Sequence, residues 1–274
     1  MKKVLVIGGT GAMGVYLVPK LAERGFKVTV AAYDTQLPEN QPHITYLKAN
    51  MFDQKRILEI LSNHYDGIVD FMIYNTAALG KYLPLYLDHT EHYIYLSSYR
   101  VFANLETPIT ETSPQLLDVS TDAGFRYSDD YAIYKAKGER FLNGWKRKNW
   151  TIVRPAITYS KRRCQLITLE RPDLFSALLK NQPVALYTDA LKVQATMSWA
   201  GDVAEMIARL LFLEAARGED FNVTTSEHHT WGEIAEYYQE LFGFRFTETD
   251  EEGYLLAKNG GKPYEMYLKY QLEY

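Results

Sequence analysis

Short apolar runs alternate along the first part of the chain with stretches whose apolar residues recur every third or fourth position. Val4-Leu5-Val6-Ile7 is apolar throughout, the mark of a strand buried on both faces. Met13, Leu17 and Leu21, with Val18 and Ala22 between them, then fall at helical spacing up to Gly25, a residue suited to closing a helix. Further strands are predicted at Lys27–Ala32, Ile44–Ala49, Gly67–Ile73 and His92–Ser97, with a helix around Gln54–Ser62. A helix over Tyr131–Trp145 and a sixth strand over Thr151–Arg154, stopped by Pro155, complete the series. Strand and helix in alternation imply βαβ units, hence an α/β fold built on a doubly wound parallel sheet.

Between Val101 and Ser128 the pattern lapses, with Pro108, Pro114 and Gly124 marking a long surface connection of the kind that can cover a site. After Pro155 the alternation loosens. Helices are expected at Asp173–Leu179 and Asp202–Leu213, with Asp202 as an N-cap. Thr230-Trp231-Gly232-Glu233 reads as a capping box opening a helix to about Phe242. Residues 246–274 are tyrosine-rich and polar, interrupted by Gly260-Gly261, and read as an irregular tail. The expected division is a dinucleotide-type domain over 1–160, to which 190–215 return, and a small C-terminal substrate lobe from 161–189 and 216–274.

With 274 residues, 47% hydrophobic and 23% charged, the chain has ordinary globular usage, which excludes disordered and collagen-like classes. A single cysteine, Cys164, excludes a disulfide framework and a cysteine-built zinc site. No apolar run approaches the ~20 residues of a membrane helix, and Met1-Lys2-Lys3 leads directly into a strand and glycines rather than a signal segment. A cytoplasmic protein is therefore expected. Thirty basic against 34 acidic residues give a net charge of −4, which argues against nucleic acid as a partner. The runs Lys146-Arg147-Lys148 and Lys161-Arg162-Arg163 read as solvated charge, although the second is placed where it could face a ligand.

Candidate chemistry begins at Ile7-Gly8-Gly9-Thr10-Gly11-Ala12-Met13-Gly14, where a strand ends and an amphipathic helix begins. Glycines there let the chain turn tightly and approach a pyrophosphate with no Cβ in the way, while helix N–H groups receive the anion. This is a Rossmann-type signal, and it lacks the Gly-Lys-Ser/Thr of a Walker A loop. The second strand runs into Tyr33-Asp34. Asp34 is a candidate for the ribose 2′-hydroxyl, and no Lys or Arg lies between Lys27 and Lys48 to meet a 2′-phosphate. The cofactor reading is NAD or NADP, inclined to NAD.

Tyr-x-x-x-Lys sets a phenol and an ammonium one helical turn apart, where a cation favours the phenolate. The pattern occurs at Tyr16/Lys20, Tyr131/Lys135 and Tyr254/Lys258. Only the second lies on a helix between the fifth and sixth strands, beside the expected ligand crevice. The fifth strand itself ends in Ser97-Ser98, where a hydroxyl can bond a substrate oxygen passing between carbonyl and alcohol.

Taken in order, Gly8-Gly9-Thr10-Gly11-Ala12-Met13-Gly14, Leu96-Ser97-Ser98-x-x-Val101-Phe102, Tyr131-x-x-x-Lys135 and Arg154-Pro155 resemble the short-chain dehydrogenase/reductase superfamily. The likeness extends over about residues 3–215, and its extended or atypical NAD-dependent epimerase/dehydratase branch is the one most similar. The resemblance implies catalytic roles for Ser98, which polarises the reacting oxygen, Tyr131, the acid/base, and Lys135, which holds the nicotinamide ribose and tunes Tyr131. It implies cofactor contacts from Gly8, Thr10, Gly11, Ala12, Met13 and Gly14, from Asn50 and Met51 at the adenine, from Phe71, Met72 and Tyr74 beneath it, and from Pro155 and Ile157 near the nicotinamide. It further implies a small-molecule substrate such as a nucleotide sugar or another carbonyl or alcohol, possible homodimers, and no membrane partner. Ala32 stands where many members carry the ribose-binding aspartate, and Tyr159-Ser160-Lys161 replaces the usual Tyr-Gly-Pro. The second reading is a regulatory or RNA-associated dinucleotide binder with little or no turnover. Arg163, Cys164, His228 and His229 are read as surface or packing residues.

Overall fold

In the computed structural model, which describes residues 1–261, seven parallel strands form one sheet. In chain order they are β1 (Lys3–Ile7), β2 (Lys27–Ala32), β3 (Ile44–Lys48), β4 (Gly67–Asp70), β5 (His92–Leu96), β6 (Trp150–Pro155) and a last strand, Asp220–Val223. Across the sheet they run Asp220–Val223, β6, β5, β4, β1, β2, β3. Strand order therefore reverses between β1 and β4, and the crevice at their carboxyl ends is where ligands bind in sheets of this kind. The register sets Val6 beside Val30 on one side and Val69 on the other, all buried.

Helices cover both faces because the strands are apolar on both. α1 (Gly14–Glu23) turns Leu17, Val18 and Leu21 onto the sheet, and a later helix sets Val203, Ala204 and Ile207 in the same core. The opposite face takes α2 (Gln54–Leu61), capped by the Asp53 carboxylate, and α3 (Thr76–Asp88), capped by Asn75. The sequence pattern assigns nothing to 76–88. That helix carries Pro84 and buries Leu79, Tyr82, Leu83, Tyr86 and Leu87, so its periodicity is blurred by a nearly all-apolar middle.

The 101–128 excursion folds into two short helices, α4 (Leu116–Val119) and α5 (Ala123–Tyr127). Its apolar residues Val101, Phe102, Leu116, Leu117 and Phe125 form a cluster with Ala132, Ile133 and Ala136 of α6 (Tyr131–Asn143). It is thereby fastened to α6. α6 in turn lies close against β5, since a Cβ on Gly138 would sit 2.1 Å from the Tyr95 hydroxyl.

The lobe contains α7 (Arg171–Leu179), paired strands Val184–Tyr187 and Phe246–Thr249, α9 (Trp231–Phe242) and α10 (Glu251–Asn259), packed around Trp231, Phe244 and Tyr254. Between α7 and α9 in the chain comes α8 (Ala200–Leu210), the helix on the sheet noted above. The capping box at Thr230 is formed, with Thr230 and Glu233 each accepting the other's backbone N–H.

Three expectations are corrected. Asp220–Val223, expected in the lobe, pairs with β6 in the main sheet; it is an edge strand, only half-buried, and shows no alternation to read. Asp202 lies in the first turn of α8 rather than at its N-cap, which is Trp199. Tyr254 belongs to a regular helix and is buried with its hydroxyl on Thr168 Oγ1 at 2.6 Å, whereas its segment read as irregular. The remainder of that segment, 262–274, lies outside the described residues.

Candidate active site

The glycine turn has the geometry its sequence implies. Gly8 takes φ +72°, a conformation that side chains resist, and donates its N–H to Ala31 O at 2.8 Å. A Cβ on Gly14 would lie 2.2 Å from Gly9 O, so the start of α1 presses directly on the loop. Met13, at the N-cap, supplies no side-chain cap to α1. The exposed Gly11 and the uncapped helix start leave a smooth backbone surface that fits a dinucleotide pyrophosphate. Thr10 donates its hydroxyl to the Asp34 carboxylate, tying the end of β2 to this loop.

Five further residues expected at the cofactor are placed as follows. Asn50 is exposed, but its Oδ1 accepts the Phe52 N–H at 3.0 Å, so its amide oxygen is already engaged. Met51 is buried in the core below. Phe71 and Met72 are half-buried at the end of β4, whereas Tyr74 is 1% exposed and donates to Asp70 Oδ2 at 2.9 Å. Tyr74 thus belongs to a buried tyrosine cluster around Asp70, joined by Tyr93 at 2.7 Å. Burial holds Asp70 above the usual carboxylate range despite the Met72 N–H and the two tyrosines.

Past the end of β5 opens a cavity of about 330 Å³. Met13 of the glycine loop, Ser98, Tyr131, Pro155 and Ile157 all line it, so four separate sequence motifs converge there. Ser98 and Tyr131 stand side by side on this wall, and the Ser98 hydroxyl acts to lower the Tyr131 pKa. Neighbouring Ser97 faces the other way: it is fully buried and donates to Glu139. Glu139 also accepts Arg154 Nε and Nη2, both at 2.8 Å, and Gln115 Nε2 at 2.7 Å. Arg154 pairs further with Asp220. The Arg154 motif therefore locks α6 to β6 and engages Ser97, so that of the two serine side chains Ser98 is the one beside Tyr131.

Lys135 is 1% exposed, with its Nζ donating to Leu96 O at 2.6 Å and Met72 O at 3.4 Å. Burial lowers its pKa from 10.5 to about 8, opposed by Asp70 and Glu139. Burial also raises the Tyr131 pKa, opposed by the Ser98 hydrogen bond and by Arg100 and Arg163. Backbone carbonyls hold the Lys135 ammonium 5.8 Å from the Tyr131 ring centre, while the Arg100 guanidinium stands 5.2 Å over that ring. The other Tyr/Lys pairs are occupied elsewhere: Lys20 meets Glu205 at 3.4 Å, and Lys258 meets Thr168 O at 2.7 Å.

The sequence profile of the NAD dependent epimerase/dehydratase family matches residues 4–224. The chain belongs to this family. Solved structures share its fold. An epimerase from the methanogen Methanothermobacter thermautotrophicus superposes with a TM-score of 0.72 at 18% identity, covering 92% of this chain and 81% of that one. The dTDP-glucose 4,6-dehydratase of Bacillus anthracis, solved in complex with NAD, gives a TM-score of 0.72 at 16% identity, covering 92% and 85%. Among curated proteins, the chloroplast stem-loop binding protein of 41 kDa b from Arabidopsis thaliana is 23% identical over 257 residues, or 89% of this chain. The chain spans 64% of that relative's length.

Family membership and the Rossmann-like sheet explain why the motifs meet; the polar wall of the cavity comes from residues outside those motifs. Arg100, Arg163, Gln165, Thr168 and Glu170 line it. Arg163, in the charged run that could face a ligand, is held by Glu170 and Gln165, which accept from its Nη2 at 2.7 Å and 2.5 Å. Arg100 had only one signal, its place within the turn after Ser98. Among the described residues no helix is long and apolar enough to cross a membrane, and no cluster of His, Cys, Asp and Glu could hold a metal ion.

Proposed function

We propose that this protein is an NAD(P)-dependent oxidoreductase or epimerase acting on a hydroxyl/carbonyl centre of a nucleotide-linked sugar. The observation that carries the reading is that Ser98 and Tyr131 share the wall of one cavity with Met13 of the glycine turn. The family match and the NAD-bound and sugar-nucleotide-processing structures of like fold support it. The cofactor would rest on the glycine turn and the start of α1, with Asp34 placed for a ribose hydroxyl, which inclines the site to NAD. When bound, a nicotinamide supplies the hydride acceptor or donor.

The chain's own residues supply the remainder. Ser98 donates a hydrogen bond to the substrate oxygen and holds it at Tyr131. Tyr131 takes the hydroxyl proton on oxidation and returns it on reduction. Cations at the Tyr131 hydroxyl lower the cost of its anionic form against the opposing effect of burial. Lys135, held between Leu96 and Met72, positions its ammonium at the end of β5 for the ribose.

A dinucleotide-binding regulatory or RNA-associated role is favoured by one observation, the likeness to a stem-loop binding protein. Native mass spectrometry of the purified protein separates the two. Retained NAD marks an enzyme that regenerates its cofactor in place, and uptake of added NADH or NADPH marks one that exchanges it. Binding of neither, with salt-sensitive retention of a stem-loop RNA, overturns the enzymatic reading.

A further inference from the structure

Of the three consecutive cations Lys161, Arg162 and Arg163, only the last lines the reaction cavity. The segment that carries them leaves the strand Ile157–Tyr159, which pairs in parallel with Met197–Trp199. That second strand runs directly into α8, and α8 shares a core with α1. The turn after Tyr159 is thereby brought to the start of α1. Its own bonds hold it closed. Ser160 and Arg163 exchange backbone hydrogen bonds at 2.8 and 3.1 Å, and Ser160 Oγ accepts the N–H groups of Arg162 and Arg163 at 3.0 and 3.1 Å. Lys161 and Arg162 are left exposed at the tip.

The tip is fastened to the helix that follows the glycine turn. Lys161 N donates to the Tyr16 hydroxyl at 3.4 Å, and its Nζ stands 5.6 Å from the centre of that ring. Trp199 packs edge-on against the same ring at 5.4 Å. Tyr16 lies in the first turn of α1, with its N–H on Met13 O at 3.1 Å, so Lys161 is held beside the backbone that suits a pyrophosphate. The charge of Arg162 acts on the Tyr46 hydroxyl of β3, and Tyr46 pairs with Val30 of β2, the strand that leads to Asp34. One cation thus stands at α1 and the other towards the strands where an adenosine ribose belongs. Neither has an acidic partner among the described residues. α1 has no acidic residue in its first turn and no side-chain cap, so nothing of its own neutralises that end. A merely solvated charge run has no need of a turn bonded both to itself and to a cofactor-binding helix.

We infer that Lys161 and Arg162 form a basic clamp that holds a phosphate of the bound dinucleotide, either the pyrophosphate on the glycine turn or a 2′-phosphate on the adenosine ribose. The inference rests on the dinucleotide reading of the glycine turn and adds residues from the far side of the chain to that site. It also supplies a counter-charge that β2 and the segment after it lack, since no Lys or Arg lies between Lys27 and Lys48. The two side chains divide the work by shape: lysine offers a compact charge, and arginine a planar fork matched to phosphate oxygens.

The test titrates the full chain with NADH and with NADPH, followed by nicotinamide fluorescence at low and high salt. Wild type is compared with K161Q/R162Q, with the charge-conserving K161R/R162K, and with K146Q, which removes an exposed cation of the other basic run. The glutamine pair should weaken binding at least about fivefold, the scale of two solvent-facing charge pairs, and should flatten its salt dependence. K161R/R162K should restore most of the affinity, K146Q should match wild type, and thermal melts should be alike in all four proteins. Equal loss for both nucleotides places the clamp on the pyrophosphate, and loss confined to NADPH places it on the 2′-phosphate. Dinucleotide binding that is unchanged in K161Q/R162Q, no weaker than in K146Q, or not restored by K161R/R162K overturns the clamp alone. A wild type that binds neither nucleotide overturns the dinucleotide reading, and the clamp with it.

Discussion

Replacing Lys135 with methionine should stabilise the cofactor-free fold as it destroys function, because the lysine is a charge held in the core for a purpose other than stability. Its pKa falls from 10.5 to about 8 on folding, mainly through burial. The unfolded chain thus holds this proton more tightly than the folded one, so wild-type stability should rise with pH between those values. At 1.36 kcal/mol per pK unit, the charged side chain costs the fold about 3 kcal/mol near neutral pH. Methionine of similar length removes that cost but forfeits the hydrogen bonds to Leu96 O and Met72 O, a loss of about 1–2 kcal/mol. The net gain near pH 7 is therefore about 1–2 kcal/mol. The sharper signature is the slope. Raising the pH from about 7 to about 9.5 should stabilise wild type over K135M by about 2 kcal/mol, since the other titrating groups cancel in the difference. Urea unfolding followed by tryptophan fluorescence at several pH values measures it. Parallel stability curves for the two proteins would refute the reasoning, as would a K135M protein much less stable at every pH.

The remaining predictions concern the scaffold around the site. Gly14→Ala would drive a Cβ against the Gly9 carbonyl; it should cost about 1–3 kcal/mol in thermal or urea unfolding and at least roughly tenfold in NADH affinity by fluorescence titration. His92 is buried, with Nδ1 accepting the Phe212 N–H and Nε2 on Thr151 Oγ1, both at 2.8 Å, a pattern only the neutral ring can make. Burial lowers its pKa to about 4, so the stability present above the ordinary 6.5 should drain away by about 3 kcal/mol as pH falls towards 4, and the slope should flatten in H92Q. Glu139→Gln breaks a buried ion pair and should cost about 3–5 kcal/mol in urea unfolding, because Arg154 loses its main partner.

Much of the fold was legible because β1 is apolar on both faces, β2 and β5 are rich in β-branched and aromatic residues, and α1, α2 and α6 carry their own caps or glycine punctuation. What escaped did so for physical reasons. α3 is too uniformly apolar to show a period, and Asp220–Val223 is an edge strand whose place is decided by pairing with β6. Within the site, Ser98 and Tyr131 were readable from spacing and lie together, as do Met13, Pro155 and Ile157. Tyr74 could not be placed from spacing, because its hydroxyl is drawn into the core by Asp70, a tertiary partner on the preceding strand. Arg163 is held at the cavity by Glu170 and Gln165, and no sequence interval encodes that contact. Helical spacing sets Lys135 and Tyr131 on one face, but where the ammonium points is decided by the Leu96 carbonyl, which no spacing encodes.

The central claim is that Ser98 and Tyr131 form a proton-transfer site beside a dinucleotide seated on the glycine turn. The most direct test is stopped-flow absorbance at the wavelength of reduced nicotinamide, with enzyme, NAD and a panel of nucleotide sugars, in wild type and Y131F. The account predicts a rise in absorbance with at least one sugar in wild type and none in Y131F, with NADH affinity unchanged within a few-fold. A signal that survives in Y131F would contradict it, as would a wild type that binds dinucleotide and reduces none of it on any sugar.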